Sequence, residues 1–146
     1  MTITDDARTP VDRFDRFAVG QWAELGRTVT ETDVVLYAGI TGDMNPVHID
    51  AVAAAASQFG ERIAHGMLTA GFISAALAMK LPGPGAIYLS QSLRFLRPVR
   101  IGDTVTARVE VIEVLFGKRR LRLSTRCRNQ QGETVVDGEA VVLVPA

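Results

Sequence analysis

The sequence is short of nearly every residue that would let it work through disulfide, metal or redox chemistry. Its one cysteine, Cys127, can form no internal disulfide framework and no cysteine-ligated zinc site. Two histidines, His48 and His65, are too few for a multi-histidine metal centre. There is no excess of charge, with 16 basic against 16 acidic side chains, which argues against nucleic acid or an anionic membrane surface as the main partner. Long hydrophobic runs are missing too: the longest largely apolar stretch, 66–79, is too short to span a bilayer comfortably. The opening MTITDDARTPVDRFDRF lacks the apolar core of a secretory signal. No glycine loop of the dinucleotide-cradling type occurs, so no nicotinamide or flavin is expected. Together these absences lead us to expect a cytoplasmic protein with no metal, no cofactor, and no nucleic-acid or membrane partner.

What is present is an ordinary globular balance, 47% apolar and 22% charged over 146 residues. That is enough for one domain with a core that needs no staple. Residues 1–16 read as a flexible N-terminal segment ahead of a domain at 17–146. Charge is unevenly placed: ten acids stand against five arginines before Lys80, and ten bases against three acids from Arg94 to Arg128. A basic half suits a phosphorylated ligand, although a solvated strand face explains much of it.

The periodicity divides the chain in two. A strand is expected at 22–28, then a short helix capped by Thr30 or Thr32 and weakened at its end by Gly39 and Gly42. Asn45-Pro46 favours a turn, and Asp50 stands where a cap belongs, opening a helix over 51–59. The stretch 66–80 is apolar nearly all round, which requires burial on most faces, and Leu81-Pro82-Gly83-Pro84-Gly85 stops it. From there the period changes to two. Strands are expected at 87–95, with Gln91 interrupting the apolar face, and at 104–115, 118–128 and 135–144. In the third, Leu121, Leu123, Thr125 and Cys127 alternate with a row of charged and polar side chains, the mark of a half-buried antiparallel strand. One strand, then helices, then antiparallel strands is an α+β order. The apolar helix is the natural filler for the sheet's dry face, and an open sheet edge favours a dimer.

Two stretches hold groups capable of chemistry. In Gly42-Asp43-Met44-Asn45-Pro46-Val47-His48 a carboxylate and an imidazole flank a turn that can fold both onto one water. Alone, the spacing is equally consistent with a turn-capping Asp43 and a satisfied, partly buried His48. In Ile63-Ala64-His65-Gly66-Met67-Leu68 a glycine opens the buried helix and leaves main-chain N–H groups free, as a developing oxyanion requires. His65 itself reads as a side chain bonded to the backbone, since nothing near it in sequence supplies a catalytic partner.

Taken together, YAGITGDMNPVHID from Tyr37 to Asp50 and FGERIAHGML from Phe59 to Leu68 resemble the MaoC-like hot-dog family, and more narrowly its (R)-specific enoyl-CoA hydratases. IYLSQSLRF from Ile87 and PVRIGDTV from Pro98 extend the resemblance over roughly residues 17–144. It implies a hot-dog fold, an antiparallel sheet wrapped around a long central helix, and hydration of a 2-enoyl thioester. On the matching positions it makes Asp43 and His48 the acid–base pair and Gly66 the glycine whose N–H holds the thioester oxygen. Asn45 shapes the turn, and Ser74 matches a serine that supports the catalytic carboxylate in some relatives. The substrate is then an acyl-CoA or acyl-carrier-protein thioester, with Arg94, Arg97, Arg100, Lys118 and Arg119 as candidates for the phosphates of its arm. Met67, Phe72 and Leu89 are placed to limit acyl length. The resemblance also leaves room for the reverse dehydration on a carrier protein, a thioesterase, or a non-catalytic acyl-thioester binding module. A thioesterase generally needs a carboxylate on or before the central helix, and 66–80 has none.

Overall fold

The computed structural model describes residues 13–146. Residues 1–12 of the segment expected to be flexible lie outside the described ones. The last four correct the expectation: Arg13–Arg16 form a 3-10 turn, and Phe14 is buried, meeting the rings of Phe17 and Phe116 edge to face. Phe14 and Phe17 lie one turn apart, so both reach the same core surface despite their charged neighbours.

Strand β1 (Trp22–Thr28) leads into helix α1 (Glu31–Thr41). Thr30 caps α1 with a reciprocal pair: its hydroxyl accepts from the Asp33 N–H at 3.1 Å, and the Asp33 carboxylate accepts from the Thr30 N–H at 2.9 Å. That main-chain bond, ahead of the Thr30 hydroxyl and Arg27, holds the Asp33 carboxyl below its usual range. Gly42 ends α1 at φ 80°, a left-handed conformation that suits glycine, and donates its N–H to the Ala38 carbonyl. Two short helices follow, α2 (Pro46–Ile49) and α3 (Ala51–Ala55). Asp50 caps α3 as expected, accepting from the N–H groups of Val52 and Ala53. The helix expected over 51–59 stops at Ala55 because the Ser57 hydroxyl donates back to the Ala54 carbonyl and accepts from the Phe59 N–H.

Helix α4 (Gly66–Met79) is the apolar helix, and the strands after it close round it: β2 (Ile87–Gln91), β3 (Arg94–Phe95), β4 (Thr104–Leu115), β5 (Arg120–Arg128) and β6 (Thr134–Leu143). All pairings are antiparallel, in the order β1-β4-β5-β6-β2, with β3 also on β6. The alternation read in β4 and β5 is the inward face. Val105, Ala107, Val109 and Val111, with Leu121, Leu123, Thr125 and Cys127, are buried in the cluster that Phe72, Ile73, Ala76 and Leu77 enter from α4. Each large aliphatic or aromatic side chain so buried contributes about 1.5–3 kcal/mol. This is the hot-dog arrangement, one helix in a curved antiparallel sheet. Among the described residues, no helix is long and apolar enough to cross a membrane.

Two strand boundaries differ from the sequence reading. The run 87–95 is not one half-buried strand. It breaks into β2 and β3 with a bulge between Tyr88 and Ser90, and Ile87, Tyr88 and Leu89 are exposed. The cause is Gln91, whose amide turns inward to donate to the buried Thr125 hydroxyl and to the Ser92 carbonyl. The strand expected from Lys118 starts at Arg120 instead, because Phe116–Lys118 form a 3-10 turn.

At the break, the Ser92 carbonyl nests against Gly138 of β6 so closely that a Cβ there would overlap its oxygen, whereas a Cβ at Gly26 of β1 would come no nearer than 3.8 Å to any atom. A main-chain carbonyl cannot swing aside. Gly138→Ala is therefore expected to lower stability by about 1–3 kcal/mol or more, and Gly26→Ala to leave it unchanged or slightly raised, as read from urea unfolding midpoints. Nearby, burial pushes the Cys127 thiol from 9.0 up to about 12. The Tyr88 hydroxyl rises from 10.0 to about 12, by burial first and the Cys127 thiol second. Both groups hold their protons more tightly when folded. Stability from this source is intact below about pH 9 and declines as pH rises toward 12, where the unfolded chain sheds protons that the folded chain keeps. The native thiol is expected to be inert to a disulfide reagent at about pH 8, just below the ordinary thiol range, and to react stoichiometrically in denaturant.

Candidate active site

The chain between α1 and α2 carries the first reactive pair. Once Gly42 has ended α1, residues 42–45 take no regular structure, and Asn45 restarts the helix: its side-chain oxygen accepts from the Val47 N–H at 3.4 Å, with Pro46 in the first turn. The short turn expected at Asn45-Pro46 is thus a one-turn helix. It sends His48 inward, 9% exposed, while Asp43 stays open to solvent. The Asp43 carboxylate accepts from the Asn45 N–H at 3.2 Å, so Asn45 shapes the turn as expected.

The His48 ring is held by main chain. Its Nδ1 lies 2.8 Å from the Ile63 carbonyl oxygen. A carbonyl only accepts, so Nδ1 carries the hydrogen and Nε2 keeps a free lone pair. The His48 carbonyl in turn accepts from Arg62 Nε at 2.7 Å, and Arg62 is anchored to Glu31 of α1 at 2.5 Å. Ile63 is bridged to Arg100, and the Ala64 N–H donates to the Val99 carbonyl at 2.7 Å. The segment before α4 is thereby fixed to the loop before β4.

At the head of α4 the N–H groups of Gly66 and Met67 have no partner among the described residues, as first-turn amides require. A Cβ on Gly66 would meet the Phe95 ring at 2.7 Å, so glycine lets that ring lie close against the helix start. Asp43, His48, Gly66, Met67, Phe95 and Arg97 line one cleft of about 510 Å³ with mainly apolar walls. The acid–base candidates and the oxyanion candidate therefore share a site.

Other expected residues are elsewhere. Ser74 is half-buried on α4, eight residues beyond Gly66, a rise of about 12 Å along the helix. It makes no hydrogen bond to Asp43 and does not line the cleft that Asp43 lines at the start of the helix. Of the five cations, Arg97 lines the cleft and pairs with Glu133 at 3.1 Å, and Arg94 is exposed beside Phe95 in β3. Arg100 is tied to Glu61 and to the Phe59 carbonyl behind the cleft. Lys118 and Arg119 sit at the β4–β5 turn, where Arg119 donates to the Val144 carbonyl at 2.9 Å. That is the end of β6 remote from Val136, the β6 residue in the cleft wall, so within one chain these two do not reach it. Of the acyl-length candidates, Met67 lines the cleft, Phe72 is in the core and Leu89 is on the exposed end strand.

The sequence reading missed His65. It does bond to the backbone, but to the Asp43 carbonyl, with Nε2 at 3.0 Å, and its ring stacks on His48 with centroids 3.8 Å apart. The partners are remote in sequence, so spacing alone carried no signal. Nitrogen or oxygen atoms of Asp43, His48 and His65 come within 4.8 Å of one another, a metal-capable set that the histidine count had argued against. Distance would admit a cation, but ring geometry does not favour one. Imidazole lone pairs lie in the ring plane, and stacked rings inclined at 27° direct them side by side instead of converging. The carbonyl-bound nitrogens are also already protonated.

Comparison with known proteins places the chain in a family. The family model for the MaoC like domain matches residues 18–135, and the chain belongs to that family. It is 50% identical over 133 residues to the (R)-specific enoyl-CoA hydratase of Rhodospirillum rubrum, covering 91% of this chain and 92% of that one. It is 51% identical over 132 residues to the 3-hydroxybutyryl-CoA dehydratase of Methylorubrum extorquens, covering 90% and 83%. Among solved structures, the unliganded R-hydratase PhaJ1 of Pseudomonas aeruginosa superimposes with a TM-score of 0.86 at 53% identity, covering 90% of this chain and 84% of that one.

Proposed function

We propose that this protein is an (R)-specific enoyl-CoA hydratase, a hydro-lyase that adds water to trans-2-enoyl-CoA to give (R)-3-hydroxyacyl-CoA without metal or redox cofactor. The observation that carries the reading is the shared cleft. A carboxylate oxygen of Asp43 and an imidazole nitrogen of His48 come within 4.8 Å of each other, a separation that one water can bridge with two hydrogen bonds of about 2.8 Å, and the bare amide of Gly66 stands in the same cleft. The thioester oxygen accepts from Gly66 N–H at the positive end of α4, where enolate charge develops. His48 Nε2, the nitrogen without a hydrogen, takes a proton from the water as its oxygen bonds to C3. The pair returns a proton to C2, so the elements of one water are added. Both groups grip that water from one wall of the cleft, which delivers oxygen and hydrogen to the same face of the double bond. The dehydratase relative names the reverse of the same equilibrium. Arg97 and Arg94, at the cleft and beside it, suit the phosphates of a coenzyme A or carrier-protein arm.

Loss of the enoyl-thioester absorbance of crotonyl-CoA, without release of free thiol, is the expected activity. General acid–base groups contribute about 100- to 10,000-fold each, so Asp43→Asn and His48→Gln are each expected to lower turnover by at least about 100-fold. Thiol release in place of hydration would make the protein a thioesterase, and no consumption of any enoyl thioester would leave only a binding module.

The fold also supports a homodimer. β2 ends the sheet with Ile87 47%, Tyr88 40% and Leu89 42% exposed, next to Phe95 and Leu96, and an apolar end strand of this kind is protected by a second copy. Light scattering on the eluting protein is expected to give at least twice the 15.8 kDa chain mass. A monomer at micromolar concentration would rule the dimer out.

A further inference from the structure

His65 makes contacts that its place in the helix does not require. It stands at the cap position of α4, yet its side chain caps nothing. The ring is 2% exposed and packs against two others, His48 at 3.8 Å and Tyr37 at 4.6 Å between centroids. Its Nε2 faces the main-chain oxygen of Asp43, which can only accept, so Nε2 bears the hydrogen. His48 bears its hydrogen on Nδ1 for the same reason. Two stacked imidazoles thus hold opposite tautomers, each fixed by a carbonyl.

The consequence lies in how Asp43 is held. Its N–H donates to the Thr41 hydroxyl and its carboxylate accepts from the Asn45 N–H, both two residues away. Among the described residues, the His65 bond, spanning 22 positions, is the one hydrogen bond that ties Asp43 to a distant part of the chain. Its other end is the residue preceding Gly66. His65 also has no second anchor: its Nδ1, with the Thr69 hydroxyl one turn along, is a buried polar atom without a hydrogen-bond partner among the described residues. Loss of the Nε2–H bond therefore frees the Asp43 loop from α4.

We propose that His65 is the positioning residue of this site. Its Nε2–H holds the Asp43 main chain, and its ring face holds the His48 imidazole, both at a fixed distance from the Gly66 amide. The effect on turnover rests on the hydratase reading above; the tautomer pair and the tether do not. Misplacing reacting groups by about 1 Å costs on the order of 100-fold.

The test uses the full chain and two substitutions that separate the contacts. His65→Phe keeps a ring and loses the donor; His65→Gln keeps an N–H of similar reach and loses the ring. His65→Phe is expected to lower kcat by about 10- to 100-fold with KM changed less than about threefold, and His65→Gln to recover part of that loss. Circular dichroism and melting curves report folding. Because the chain has only two histidines, 15N-histidine spectra at about pH 8, above the ordinary imidazole range, read each ring directly. Wild type is expected to show one Nδ1–H and one Nε2–H tautomer. The remaining His48 signal is expected to stay single in His65→Phe, which keeps the ring face, and to broaden or split in His65→Gln, which loses it. A Phe variant with wild-type kcat, or a Gln variant no better than Phe, overturns the proposal, as do two wild-type rings in the same tautomer. That last measurement decides the matter if neither variant folds. A wild type that hydrates no enoyl thioester sinks the hydratase reading instead, and the tautomers then test the Asp43 tether, and the His48 signal the ring contact, by themselves.

Discussion

Burial of α4 inside the curved sheet is the constraint from which the rest of the molecule follows. Phe72, Ile73, Ala76 and Leu77 enter the core on one side of this helix, which fixes its axis and so the place where its first turn emerges. That first turn cannot satisfy its own N–H groups. The chain brings polar main-chain segments there: the loop after α1, the 62–65 segment with its bond to Val99, and the strand residue Phe95 lying on Gly66. The cleft is the space these segments leave around the helix end. A site built on such a support inherits the rigidity of the core, which general acid–base chemistry needs in order to hold its groups within bonding distance of one water.

The chemistry at this end is set by main-chain carbonyls as much as by side chains. An imidazole offers two nitrogens and no intrinsic choice between them, and an acceptor that cannot donate makes the choice. The Ile63 carbonyl does this for His48 and leaves Nε2 as the available base, and the Asp43 carbonyl does the opposite for His65. No second carboxylate is needed to orient the ring. The backbone that supplies these acceptors is itself tied down, through Arg62 to Glu31 and through Val99 to the loop before β4. The proposed acid–base pair thus depends on contacts from three separate regions of the chain.

The same economy explains the surface. The sheet covers one side of α4 well, but β2 presents Ile87, Tyr88 and Leu89 outward, and Phe95 and Leu96 continue the patch toward the cleft. Apolar area of this kind next to an unpaired strand edge is unfavourable in water, which is the basis of the proposed homodimer. Phe95 and Leu96 belong to both the patch and the cleft wall.

Local pattern settled much of this in advance. Alternation in β4 and β5 gives the inward face residue by residue, because strand side chains have a strict period of two. The all-apolar run 66–79 must be a buried helix, and the Thr30, Asp50 and Gly42 boundaries follow from capping chemistry that operates within a few residues. Asp43, His48 and Gly66 could be singled out for a related reason, since their motif lies within short stretches, and the fold brings the three to one cleft. Tertiary structure decided what depends on contacts between remote segments. The break at Gln91 arises because its amide finds Thr125, which is 34 positions away, and Phe14 joins the core because a ring surface across the fold receives it. Ser74, Lys118 and Arg119 match by position yet sit far from the cleft, since place along a helix or a hairpin fixes distance where residue type does not. His65 is the converse case. By sequence it is one imidazole beside a glycine, and only the fold sets it against Asp43 and His48, because hydrogen bonds and ring contacts act over a few ångströms of space whatever their separation along the chain.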